Sequence, residues 1–112
     1  MKRFVLVSVI PSAVFRGRKL VVLHVSPLGF EELKSMVDSW GERARVISYI
    51  AHPAVARAVS QAIGRELEYC REPYRYEPSD AIVVVVPKKR VHESLQLSPD
   101  DLEAYLVTVE TP

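Results

Sequence analysis

Apolar residues occupy nearly every position from Phe4 to Ile10 (FVLVSVI), a β-branched run that predicts a strand buried on both faces of a sheet and ended by Pro11. After a turn carrying Gly17, Lys19 to Val25 (KLVVLHV) predicts a second strand. Ser26-Pro27 then opens a predicted helix, with Glu31 and Glu32 near its positive end, an apolar stripe of Phe30, Leu33, Met36, Val37 and Trp40, and Gly41 as its stop. Arg45 to Ile50 (RVISYI) predicts a third strand that runs directly into His52-Pro53. From there Ala54, Val55, Ala58, Val59, Ala62 and Ile63 recur at helical spacing up to Gly64, which buries one face and turns Arg57 and Gln61 outward.

The second half is less regular. Glu66 to Arg71 reads as a short strand, and a proline-punctuated segment from Glu72 to Ser79 follows. Ala81 to Pro87 (AIVVVVP) is the most strand-like run in the chain and is expected at the centre of the sheet. Lys88 to Leu97 is a polar connection, Ser98-Pro99-Asp100-Asp101 is a capping signature for a short helix through Tyr105, and Leu106 to Glu110 closes the pattern as a last strand. Strands alternate with helices in places and pair directly in others. The expected class is therefore α/β (α+β): a single mixed β-sheet of about five to six strands flanked by three helices, in one domain spanning residues 1–112.

Composition narrows the function more than the fold. With 48% hydrophobic residues, 112 residues suffice for a core that needs no disulfide or metal. Fifteen Lys and Arg against 14 Asp and Glu leave a net charge of +1, which is no basic field for duplex DNA, so any nucleic-acid contact has to be local. One cysteine (Cys70) and three scattered histidines argue against an intrachain disulfide and a structural zinc site, and fit a reduced, cytoplasmic setting. The longest apolar stretch, Ala81 to Val86, is far too short for a membrane span, and the N-terminus lacks a signal-peptide pattern. The prolines and many charged side chains lean toward a thermophile.

Among the residues that can carry chemistry, His52 stands out because it sits at or next to the N-cap of a well-patterned helix with proline in its first turn. Converging N–H groups and the helix dipole favour a bound phosphate there, and oppose a second proton on the imidazole until an anion arrives. A histidine that only caps the helix fits the position equally well. Lys88, Lys89, Arg90, His92 and Glu93 follow the central strand, at the sheet edge where α/β folds usually hold ligands, although a charged loop there is often only a solvated turn. Arg71 and Arg75, interleaved with Tyr69, Tyr74 and Tyr76, have the character of a phosphate-binding and base-stacking strip, or of an exposed sheet edge. Ser12 can donate to a phosphate oxygen, but no Ser-His-Asp order or nucleophile elbow accompanies it, and no Walker loop, dinucleotide fingerprint or HExxH is present. His24, inside an apolar strand, reads as a core or interface residue, and Cys70 as a small apolar filler.

The order and spacing of these residues resemble the viral ring nucleases that counter type III CRISPR immunity, together with their cellular relatives. Ser12 follows the first strand, SYIAHP carries His52, AVSQAIG continues the helix, Arg71 and Arg90 follow at steps of nineteen residues, and Glu93 comes three further on. The likeness spans Phe4 to Val109 and departs from the family at Ala51 (usually glycine), Ser8 (often asparagine) and Cys70 (asparagine). It implies a homodimer whose two-fold axis matches cyclic tetra-adenylate, cut twice without metal or cofactor by attack of a ribose 2′-hydroxyl on its own phosphate. In that scheme His52 protonates the leaving 5′-oxygen, Arg90 stabilises charge on phosphorus, and Glu93 orients Arg90 or assists proton movement. Ser12 and Arg71 hold phosphate and ribose, with Ser8 and Lys89 beside them, and either Glu72 to Ser79 or Lys88 to Leu97 closes as a lid. Two other readings stay open: a non-catalytic module that binds cyclic oligoadenylate or single-stranded nucleic acid, and a small structural or regulatory dimer of a thermophilic virus.

Overall fold

The computed structural model describes residues 2–10, 12–67, 70, 72, 74–88, 90 and 96–110. Five strands form one mixed sheet: β1 (Lys2–Val7), β2 (Val22–Leu28), β3 (Ala44–Tyr49), β4 (Ala81–Pro87) and β5 (Leu102–Glu110), in the order β2-β5-β4-β1-β3. β1 runs parallel to both β3 and β4, and β5 runs antiparallel to β4 and β2. β4 thus takes the central place expected of its apolar run. The C-terminal ends of β1, β3 and β4, and the start of β5, meet at one edge of the sheet.

Two helices, α1 (Phe30–Trp40) and α2 (Pro53–Ile63), cover one face. Phe4, Leu6, Val83, Val85 and Ala104 point to that face, where Leu33 and Val37 of α1 and Val55, Val59 and Ile63 of α2 meet them. The alanines at 54, 56 and 58 let α2 approach closely, and full burial of each larger aliphatic side chain is worth about 2 kcal/mol. On the opposite face Val5, Val7, Ile82 and Val107 are covered by Val14 and Tyr74, so β1 is buried on both sides without a second helix layer.

Three sequence expectations are corrected. The second strand covers Val22–Leu28 instead of Lys19 to Val25, and Ser26 and Pro27 pair with Leu106 and Tyr105 instead of opening a helix. β2 has a neighbour on one side only, so a proline without an N–H is tolerated in it. α1 consequently begins at Phe30, where the Glu32 carboxylate accepts the Gly29 N–H at 3.2 Å. The third helix is a single 3-10 turn at Pro99–Asp101, since Leu102, Ala104 and Leu106 alternate onto the helix-covered face and belong to β5. The predicted strand at Glu66 to Arg71 lies partly outside the described residues. Glu66, Leu67 and Cys70 within it carry no strand pairing, and the Cys70 N–H donates instead to the Ile50 carbonyl at 2.8 Å.

A network pins the covering segment on the second face. The Tyr74 hydroxyl donates to Asp80, whose side chain is wholly buried, and the Glu77 N–H donates to the same carboxylate at 3.2 Å. Arg3 lies 3.1 Å from Asp80 Oδ1 through Nε and 2.5 Å from Glu77. The Arg3 Nε contact is one of charge: neither it nor Asp80 Oδ1 has an aligned hydrogen-bond partner. Burial first, and then the hydrogen bond and charge of Asp80, push the Tyr74 hydroxyl far above its ordinary range, so it stays protonated. These contacts hold Tyr74, Glu77 and Asp80 together against Arg3 of β1.

Candidate functional site

The junction between β3 and α2 is built by local chemistry. β3 ends at Tyr49, Ile50 is fully buried beneath it, and the chain emerges at Ala51 and His52. His52 is extended (φ −112°, ψ 122°) and is the N-cap of α2, with Pro53 in the first helical position. Its imidazole Nδ1 accepts the Ala54 N–H at 3.2 Å, which satisfies one of the donors that a helix start leaves free. An imidazole nitrogen accepts only while it carries no proton, so this cap and a proton on Nδ1 exclude each other. At the far end Gly64 closes α2 in the left-handed region (φ +69°), its N–H donating to Ser60 at 3.0 Å.

Ser8 joins this junction from the neighbouring strand. The Ser8 hydroxyl accepts the Ala51 N–H at 3.4 Å, a long bond that ties the exit of β1 to the residue before His52. Ser12, exposed, begins the 3-10 turn Ser12–Val14 on the same exit, and Val14 anchors that turn in the second core cluster. Beyond β4, Lys88 and Arg90 are exposed, and the Lys88 N–H donates to the Asp101 carbonyl at 2.8 Å, which fastens the end of β4 to the turn before β5. The edge thus gathers an imidazole, two hydroxyls and two cations on the exits of β1, β3 and β4. Lys89, Arg71 and Glu93 lie outside the described residues, as does His92.

Other expected site features are placed elsewhere. Tyr74 is not a base-stacking platform: it is buried, 5.2 Å from the Tyr49 ring and edge-on to Tyr76 at 6.5 Å, and Arg18 sits 6.0 Å over Tyr76. His24 is not a core residue. It stands exposed on β2, 2.5 Å from Glu110 across the edge of the sheet. Cys70 is half-buried, as its filler role predicts.

Among the described residues, two hollows near this edge differ in their chemistry. One, between β2, α1 and β5, is lined by Gly29, Glu32, Glu103 and Tyr105 among others; the Tyr105 hydroxyl donates to Glu103 at 2.8 Å, which raises that hydroxyl's pKa. The other, about 300 Å³, lies beside α2 and is lined by Ala54, Arg57, Gln61, Gln96, Leu97 and Ser98. The sequence turns Arg57 and Gln61 outward and marks Ser98 only as a cap, and nothing in it singles out Gln96, since the helix beside it lies more than thirty residues earlier in the chain. No described helix is long and apolar enough to cross a membrane.

Comparison with known proteins fits this geometry. The structure is similar to B116 of Sulfolobus turreted icosahedral virus, with a TM-score of 0.73 over 96% of this chain and 99% of that one, at 16% sequence identity. Identity that low speaks for the fold alone. No curated protein matches the sequence. The family described as STIV B116-like matches residues 6–110, nearly the whole chain, and the protein belongs to that family.

Proposed function

We propose that this protein is a metal-independent ring nuclease that opens cyclic tetra-adenylate into linear di-adenylate and so switches off type III CRISPR signalling. The observation that carries the reading is the placement of Ser8, His52, Lys88 and Arg90 beyond the ends of β1, β3 and β4 at one sheet edge, with His52 at the positive end of an eleven-residue helix. The resemblance of residue order supplies the substrate. An archaeal-virus origin is part of the same proposal.

The chemistry balances within the ring. A ribose 2′-oxygen attacks its adjacent phosphorus, the bond to the 5′-oxygen breaks, and the product ends in a 2′,3′-cyclic phosphate and a 5′-hydroxyl. The proton lost by the 2′-hydroxyl is matched by one delivered to the 5′-oxygen. No water is consumed, and because the nucleophile belongs to the substrate, catalysis reduces to alignment and charge. His52 is the acid for the leaving oxygen, Arg90 faces the phosphoryl oxygens, and Glu93 steadies Arg90 or passes a proton. Ser8, Ser12, Arg71 and Lys89 hold the backbone, and two chains related by a two-fold axis cut the ring twice.

The cap geometry adds a condition. To act as an acid, the imidazole must carry two protons, and a protonated Nδ1 faces the Ala54 N–H instead of accepting from it. Turnover therefore requires His52 to release its cap when phosphate arrives at the helix start. The same cap favours a second reading, in which His52 stays neutral and the protein holds cyclic oligoadenylate, or single-stranded nucleic acid, without cutting it.

Incubation with labelled cyclic tetra-adenylate in EDTA, beside His52→Ala, separates the two. Linear di-adenylate from the wild type alone establishes the nuclease. Tight binding of an intact ring by both proteins establishes the binding module.

A further inference from the structure

Three long polar side chains end in the hollow beside α2. Arg57 and Gln61 stand one helical turn apart on the outward face of α2, and Gln96, with Leu97 and Ser98, lies against them from the segment before β5. Among the described residues none of Arg57, Gln61 and Gln96 makes a hydrogen bond or ion pair. The facing wall is well anchored: Leu97 packs on the helix-side core, and the Ser98 N–H donates to Asp101 at 2.9 Å.

The hollow is continuous with the candidate site through one residue. Ala54, whose N–H is held by His52, also lines it. The hollow on the other side of the edge carries Glu32 and Glu103 and repels a polyanion, so charge directs a phosphodiester ligand toward α2. A cavity of about 300 Å³ is at the lower bound of small-molecule sites.

We propose that this groove is a purine-nucleotide subsite. Arg57 pairs with a phosphate neighbouring the one at His52, and the Gln61 and Gln96 carboxamides take the base between them. A carboxamide offers a donor and an acceptor side by side, matching the amino group and ring nitrogen of adenine. The identity of the base as adenine rests on the ring-nuclease reading; the groove's preference for a purine nucleotide does not.

The test uses the intact protein with two probes. Adenosine 5′-monophosphate and uridine 5′-monophosphate are titrated while backbone amide resonances are followed, and cyclic tetra-adenylate binding and cleavage are measured for wild type, Arg57→Ala and Gln61→Ala. The expected results are adenosine-selective shifts at Ala54, Gln61, Gln96 and Leu97, roughly tenfold weaker ring binding by Arg57→Ala with cleavage of the bound ring unchanged, and a narrowed preference for adenine in Gln61→Ala. Shifts at those amides with an uncut ring keep the subsite and sink the nuclease reading. A ring bound and cut by both variants within twofold of wild type overturns the subsite and leaves the nuclease reading intact. Unmoved groove amides at saturating adenosine 5′-monophosphate also overturn the subsite.

Discussion

The Nδ1 atom of His52 accepts the backbone N–H of Ala54 at 3.2 Å, so the side chain proposed for proton transfer is also the cap of α2. One residue carries a structural and a chemical role, and the two can be separated because asparagine caps as well as histidine while transferring no proton.

His52→Asn is expected to keep the stability of the wild type within a few tenths of a kcal/mol, and His52→Ala to lose about 1 kcal/mol, roughly 5 °C in melting temperature. Both lose at least about a hundredfold in single-turnover cleavage. Thermal melts beside rapid-quench assays check this; cleavage retained by the asparagine variant rules out His52 as the acid.

Tyr74 makes stability depend on alkaline pH. Its hydroxyl is pushed up by burial and by Asp80, so above about pH 10 the unfolded chain gives up this proton while the folded chain keeps it. The folded state then binds more protons and stability falls as pH rises, by up to about 1.4 kcal/mol per pH unit. Denaturant midpoints at pH 8 and pH 11 should converge for Tyr74→Phe relative to wild type. Tyr105, which Glu103 also holds protonated at the surface, is present in both proteins and cancels from the difference.

Arg3→Leu leaves the buried Asp80 carboxylate without its cation. A loss of roughly 3 kcal/mol is expected, with little recovery in salt because the acid is fully buried. Asp80→Asn in the same background should restore part of it. A double-mutant cycle by urea denaturation reads the coupling, and additive single effects would show that the charge contact contributes nothing.

Ser8→Ala removes one 3.4 Å hydrogen bond between the exits of β1 and β3. The expected cost in stability is below about 1 kcal/mol, because the bond is long and exposed. The effect on cleavage should be larger than that on ring affinity, since the bond holds the residue before His52 in place. Equal losses in kcat and in stability alone would make Ser8 a structural residue.

Local patterns along the chain carried a good part of this architecture. The β-branched runs at Phe4 to Val7 and Ala81 to Pro87 announce buried strands, and His52-Pro53 followed by apolar residues at helical spacing announces a capped helix, because those preferences act over a few bonds. What lies beyond that range was decided by pairing. Pro27 joins a strand because β5 comes to lie beside it, and Leu102 to Tyr105 extend because Pro87 to Val84 stand opposite, although the capping signature at Ser98 favours a helix. The candidate site follows the same division. The cap at His52 is local, but the contact of Ser8 with Ala51 spans 43 residues and exists only because β1 lies between β3 and β4. The groove of Arg57, Gln61 and Gln96 likewise depends on the turn before β5 docking against α2. Short-range propensity specified the pieces; burial of both sheet faces in the order β2-β5-β4-β1-β3 specified which pieces meet.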